Sequence, residues 1–266
     1  MRKATSKEIP EIRLLWQAVF KDSEDYVNSF IAHFGIENCY VSKQSGEIAS
    51  MVFALPVAVS GKWYAVNMWY IYACATRPQY RKQGFMVKLL ETVYHEACLK
   101  NVAGVFLHPA NHHLANYYRK LGFEDFFYHN KIIFNRPPHT AYCLPHTSHR
   151  SIPTTYRIQR IEKLENTCFV NWNEDFFRFL NKKSVQFCEM ENTIFSFSLD
   201  DKKIIVDELL GNLSDAYIAN YLFEYHPEIE TIEIHSQGDE ICCGQIKWCN
   251  SMVRKLQNGY FAFAME

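Results

Sequence analysis

The chain has 266 residues, 48% of them hydrophobic and 21% charged, enough for one large domain or two small ones around a real core. Lys+Arg total 28 against Asp+Glu 29, so no basic excess points to nucleic acid or an anionic membrane as the main partner. No stretch approaches the roughly 20 apolar residues of a membrane span, and the opening Met1-Arg2-Lys3-Ala4 leads into no signal-peptide pattern. With nine scattered cysteines, these features lead to the expectation of a cytoplasmic protein with reduced thiols.

Residues 8–20 place Ile12, Leu15, Trp16 and Val19 at helical spacing. Asp22 or Ser23 can cap a second helix carrying Tyr26, Phe30, Ile31 and Phe34. Strands are expected at 39–42, 48–59 and 63–75, as an antiparallel meander broken at Gln44-Ser45-Gly46 and Ser60-Gly61-Lys62. Residues 84–100 predict a helix, with Met86, Leu89, Leu90, Val93 and Ala97 on one face. A short buried strand follows at 102–107, a helix at 111–121 closed by Gly122, and a strand at 123–134. Residues 137–154 hold Pro137, Pro138, Pro145 and Pro153 with little periodicity, and read as a linker between domains at 1–136 and 155–266. The second half reads as a helix at 171–181, strands at 185–189, 193–199 and 203–209, a helix at 214–225, and strands at 231–235 and 260–265. That order echoes the first half without a visible sequence repeat.

The stretch carrying chemical information is Ala75-Thr76-Arg77-Pro78-Gln79-Tyr80-Arg81-Lys82-Gln83-Gly84-Phe85-Met86. It runs from a strand end through a loop into an amphipathic helix. Unpaired N–H groups at such a helix start, with the positive end of the dipole, make an anion site. Gly84 lets backbone approach a phosphate, and Arg81 and Lys82 add charge at the rim. The competing reading is an ordinary strand–loop–helix connection.

Two motifs together resemble the GCN5-related N-acetyltransferase (GNAT) family. Its loop, Arg/Gln-x-x-Gly-x-Gly/Ala, is matched by Arg81-Lys82-Gln83-Gly84-Phe85-Met86 except at Met86, a residue familiar there in Eis-like members. Downstream, Asn111, Tyr118 and Lys120-Leu121-Gly122-Phe123 follow in the family's order and spacing. The resemblance covers roughly residues 1–134. It implies an α/β fold with a mixed sheet split between two central strands. The second half would then be a smaller α/β domain, open to being a degenerate copy of the same fold. The resemblance further implies acetyl-CoA as co-substrate, without metal, and a small-molecule or peptide amine as acceptor. The strand through Cys74, Ala75 and Thr76 would pair with the pantetheine arm. The backbone amides of about Gln83–Val87 would hold the pyrophosphate, within a cofactor site that takes in Arg81, Lys82, Gln83, Gly84, Phe85, Met86, Asn111 and Tyr118.

An alkyl amine near pKa 10 is mostly protonated at neutral pH, and the departing thiolate benefits from a proton. By motif match Tyr118 is the candidate acid; packing alone is the alternative. Tyr117, about 100° around the helix, is expected to point elsewhere. No Asp or Glu occurs in residues 63–76, where many members carry the base. Eis-like enzymes use the terminal carboxylate, which makes Glu266 a candidate; water relayed through backbone carbonyls competes. His108, His112 and His113 allow a metal reading, which spacing alone does not support, and Cys242, Cys243 and Cys249 lack a paired metal pattern. Cys74 allows an acyl-thioester route, with a buried thiol the plainer reading. Three functions stay open: an amine N-acetyltransferase, a non-catalytic acyl-CoA-binding regulator, and an acyltransferase for a longer chain.

Overall fold

A computed structural model describes residues 1–137, 149–249 and 258–263. In chain order the elements are β1 (Arg2–Lys3), α1 (Ile9–Phe20), α2 (Glu24–Phe34), β2 (Cys39–Gln44), β3 (Glu47–Gly61), β4 (Tyr64–Thr76), α3 (Phe85–Leu99), β5 (Gly104–Leu107), α4 (His112–Lys120) and β6 (Glu124–Asn135). There follow β7 (His149–Arg150), α5 (Pro153–Lys163), β8 (Cys168–Asn171), α6 (Glu174–Lys182), β9 (Gln186–Met190), β10 (Thr193–Asp200), β11 (Lys203–Leu210), α7 (Asp215–Tyr225), β12 (Thr231–Trp248) and β13 (Gly259–Tyr260). The chain gathers into two compact units. The first comprises Met1–Ala58, Val66–Asp125 and Gly244–Leu256; the second comprises Val59–Ala65, Phe126–Cys243 and Gln257–Glu266. Among the described residues no helix is long and apolar enough to cross a membrane.

The first unit is a sheet with helices on both faces. Its helix starts follow ordinary capping chemistry: the Ser23 side chain accepts from the Tyr26 amide to open α2, and Asn111 does the same for the Leu114 amide at α4. Ser45 and Gly46 both have positive φ (52° and 87°), the backbone that a two-residue hairpin needs between β2 and β3. Along β4, Trp69 and Ile71 pack with Leu89, Leu90 and Val93 of α3. Tyr72 faces the opposite layer, where its ring lies 5.8 Å from Trp16 of α1 and 5.2 Å from Phe30 of α2. β4 runs parallel to β5 from Trp69↔Val105 to Ile71↔Leu107. Residues 245–248 of β12 close the other side of β5 antiparallel, Gln245↔Leu107 to Trp248↔Gly104.

In the second unit β9, β10 and β11 are antiparallel neighbours, and β11 runs parallel to β12. Helix α7 covers this sheet with Ile218 and Leu222 against Ile204, Val206, Ile232 and Ile234. β13 lies parallel between β6 and β8. Buried Arg160 of α5 pairs with buried Glu208 of β11 at 2.8 Å and donates to the Val170 carbonyl at 2.9 Å.

The mixed-sheet α/β class expected from the sequence is the class observed. Several elements differ from expectation: the short strands β1 and β7 were not anticipated, and the strand expected at 260–265 is β13, whose described extent is Gly259–Tyr260. Helix α5 and strand β8 occupy a region read as linker and featureless chain, because Pro153 opens a helix at its first turn and the buried face of α5 carries Arg160 where an apolar residue was sought. Strand β12 continues thirteen residues past His235. Gly238 sits inside it as a point of close approach, since a Cβ there would fall 1.9 Å from Asn130 Oδ1.

Candidate active site

The site starts from an irregularity in β4. Tyr72 points to the α1–α2 layer, and regular alternation would send Cys74 the same way. Ala73 adopts φ +51 instead, a left-handed conformation costing a non-glycine residue on the order of 1 kcal/mol or more. The alternation slips by one, and Cys74 packs in the α3–α4 layer. The pairing of β4 with β5 stops just before, at Ile71, so residues 72–76 extend past the end of β5.

The following loop is pinned from below. Arg77 donates through its amide to the Ala49 carbonyl (2.9 Å) and through Nε to the Ile48 carbonyl (2.7 Å), and pairs with Glu11 at 3.2 Å. The Tyr80 hydroxyl donates to Glu47 at 2.6 Å. These anchors deliver the chain to Gly84, the N-cap of α3, with φ +80. A Cβ at Gly84 would meet nothing within 4 Å, so the space in front of the helix start is open. No side chain caps α3, its first-turn amides lack intrahelical partners, and Lys82 also takes a positive φ of 60°. Exposed Arg81 and Lys82 stand at the rim. An anion fits this arrangement.

This helix start opens into a cleft of about 660 Å³. Thr76, Tyr80, Arg81, Lys82, Gly84, Phe85, Met86 and Val87 line its cradle side, and Cys74, Tyr117, Tyr118, Leu114 and Val19 line the remainder. Tyr118 is 7% exposed, and it lines the same cleft as the Cys74 thiol. Burial, then the neighbouring Cys74, holds the Tyr118 phenol well above its ordinary value. Burial pushes Cys74 up to about 12, with neighbouring Tyr118 working against it. Both groups are therefore protonated at neutral pH, and Tyr118 is a proton donor facing a sulfur.

Of the residues singled out in the sequence, Cys74, Thr76, Arg81, Lys82, Gly84, Phe85, Met86 and Tyr118 come together around the cleft. Three others do not line it. Ala75 is fully buried, Gln83 donates its side chain back to the Gln79 carbonyl, and Asn111 caps α4 through Oδ1 at 3.0 Å from the Leu114 amide. Glu266 lies outside the described residues. Tyr117 corrects an expectation: it lines the same cleft, its ring 5.3 Å from that of Tyr118. The 100° between them separates depth, Tyr118 buried and Tyr117 half-exposed, rather than site. Val19 and Leu114 carry no motif signal; apolar walls are indistinguishable in sequence from core positions. Among the described residues no group of three or more His, Cys, Asp or Glu could hold a metal ion, His108, His112 and His113 included.

The sequence profile described as "Acetyltransferase (GNAT) domain" matches residues 1–126. No curated protein sequence matches the chain. Among solved structures, a GCN5-related N-acetyltransferase from Anabaena variabilis superposes with TM-score 0.75 at 14% identity, over 94% of this chain and 72% of that one. Eis1 from Mycobacterium abscessus gives 0.68 at 10% identity, over 95% and 74%. A tandem GNAT protein from the clavulanic acid biosynthesis pathway gives 0.55 at 7% identity, over 94% and 97%. At these identities the likeness is one of fold, and the tandem protein fits a second GNAT-like unit in this chain.

Proposed function

We propose, from the premise that residues 1–126 are a GNAT acetyltransferase domain, that this chain moves an acetyl group from acetyl-CoA to a primary amine of a small molecule or peptide by direct attack. One observation carries the reading: a single cleft joins an open, uncapped helix start at Gly84 to a buried phenol at Tyr118. The cradle suits the pyrophosphate of CoA, with Arg81 and Lys82 countering its charge and the amides of residues 85–87 donating to its oxygens. The edge of β4 at residues 74–76 suits the amide groups of the pantetheine arm.

In the proposed reaction the neutral amine attacks the thioester carbonyl. The C–N bond forms, the C–S bond breaks, and Tyr118 gives its proton to the departing sulfur. The amine's own proton passes to solvent, and Tyr118 is reprotonated from solvent. Because the folded environment keeps Tyr118 protonated, it can donate only as negative charge develops on sulfur, which is where a general acid contributes.

The test is incubation of the protein with acetyl-CoA and a panel of amines, following free thiol and the mass of each amine. Acetylated amine formed with stoichiometric thiol is the expected result. Binding of acetyl-CoA without transfer to any amine would make the chain a non-catalytic acyl-CoA-binding protein. Faster turnover of longer acyl-CoAs in competition would replace acetyl as the group carried.

A further inference from the structure

We propose that Cys74 is a positioning residue that holds the Tyr118 hydroxyl at the place where a thioester sulfur must sit. This rests on the acetyl-transfer reading above and deepens it. A strained residue serves this contact: only because Ala73 takes φ +51 does Cys74 turn out of the Tyr72 layer and into the layer of α4. Tyr118 is one helical turn before Gly122 and packs on Phe123 with ring centroids 5.7 Å apart, so its ring is fixed and only the direction of its O–H is left to choose. In this scheme the Cys74 sulfur, which packs in the same cluster and lines the same cleft, chooses it by accepting from the hydroxyl. Sulfur is a weak acceptor, so the bond is easily exchanged. A developing thiolate in the same cleft is a far stronger acceptor and takes the proton without Tyr118 having to reorient. A carboxylate in the place of Cys74 would keep the hydroxyl for itself, and an alkyl group would leave it undirected.

Cys74 takes no covalent part in this scheme. Burial suppresses its thiolate, pushing its pKa up to about 12, and the thiolate is the nucleophilic form. This separates a positioning role from an acyl-enzyme route through the same atom.

The experiment is a double-mutant cycle in kcat on the full chain, with Cys74→Ala, Cys74→Ser, Tyr118→Phe and the double variant Cys74→Ala/Tyr118→Phe. The melting shift with acetyl-CoA is measured for each, to show that fold and cofactor site survive. Cys74→Ala should lower kcat about five- to tenfold, the loss of one neutral hydrogen bond, with the melting shift retained. Cys74→Ser, which keeps a polar acceptor, should recover most of that loss. In the Tyr118→Phe background, Cys74→Ala should cost nothing further, because there is no hydroxyl left to direct. A purely structural role would lower kcat in both backgrounds alike, and that additivity overturns the proposal. So does wild-type activity in Cys74→Ala while Tyr118→Phe is impaired. An acetyl adduct on Cys74 in acid-quenched protein, found by peptide mass, overturns it in favour of a nucleophilic cysteine. Full activity in Tyr118→Phe instead removes the acid from the parent reading, an outcome distinct from the others.

Discussion

The Thr193 hydroxyl accepts from the backbone amide of Leu213 at 3.0 Å, and from that of Asn212 at the same distance. This is the loop of the second unit that corresponds in order to the Gly84 loop of the first: a strand, a short turn, then a helix. In the first unit the helix start is uncapped and open. In the second, buried Thr193 satisfies the loop and the Ser214 side chain caps α7 through the Tyr217 amide. The parallel pairing also continues farther there, to Leu209↔Ser236, where β4 parts from β5 at Ile71. The amides of Asn212, Leu213 and Tyr217 are already taken.

One acetyl-CoA should therefore bind per chain. Titration calorimetry with acetyl-CoA should give a stoichiometry of one. Two equivalent sites would mean that the Thr193 contact opens to admit a phosphate.

Gly84 should be decisive for that single site. A ligand at 100 times its Kd adds roughly 2.7 kcal/mol of apparent stability, a melting shift of roughly 5–10 °C for a chain of this size. Gly84→Glu places a carboxylate in the open space before α3 and should abolish the shift. Gly84→Asn tolerates a left-handed φ and controls for backbone strain; without ligand it should melt close to wild type. A normal shift in folded Gly84→Glu would remove the cradle from the account.

That the Gly84 loop and Tyr118 belong together was legible because each is a local matter. Gly84, the basic rim and the amphipathic run of α3 lie within one short segment, and Tyr118 is set by its spacing to Gly122. What was not legible depends on contacts distant in sequence. Residues 245–248 complete the sheet beside β5, yet nothing in their own pattern names that partner. The half-buried wall residue Val19 has the same helical spacing as buried Leu15 and Trp16. The slip at Ala73, which sends Cys74 into the α3–α4 layer, has no glycine or proline to announce it. Arg160 hid helix α5, since a buried ion pair with Glu208 breaks the apolar face by which a helix is recognised.

Acid stability should depend on Glu233. Burial raises its pKa, but hydrogen bonds from Lys131, Lys203 and His235 outweigh this and hold the carboxyl at about 2. A folded value below the unfolded one contributes stability that is present above about pH 4.3 and lost as pH falls through 2. The lysines are about one-third exposed, so after solvent screening the contribution is about 1–2 kcal/mol. Denaturant unfolding between pH 6 and 2 should show a shallower acid decline for Glu233→Gln than for wild type, from a lower plateau at pH 6. Parallel curves would assign the acid sensitivity elsewhere.

Tyr118→Phe should be the most informative single change for the chemistry. It keeps the ring that packs on Phe123, so the fold and the acetyl-CoA melting shift should be retained. It removes the hydroxyl, and kcat should fall about 10²- to 10⁴-fold, the usual worth of a positioned acid. With chemistry rate-limiting, kcat and kcat/KM should fall together, as for a contact made mainly in the transition state. The raised pKa fixes the pH profile as well. An acid whose folded pKa is raised stays active below that value and is lost only as pH rises through it. Wild-type kcat should therefore show no loss assignable to Tyr118 between pH 6 and 9.5, and any rise over that range should follow deprotonation of the amine. Tyr117 lines the same cleft from a shallower position, so Tyr117→Phe should alter KM for the acceptor at most, and leave kcat within about twofold, since the hydroxyl proposed as the acid is kept. Steady-state thiol release with one accepted amine measures all three variables. Full activity in Tyr118→Phe would end its assignment as the acid. A large kcat loss confined to Tyr117→Phe would move the role one residue along α4, to the ring nearer the mouth.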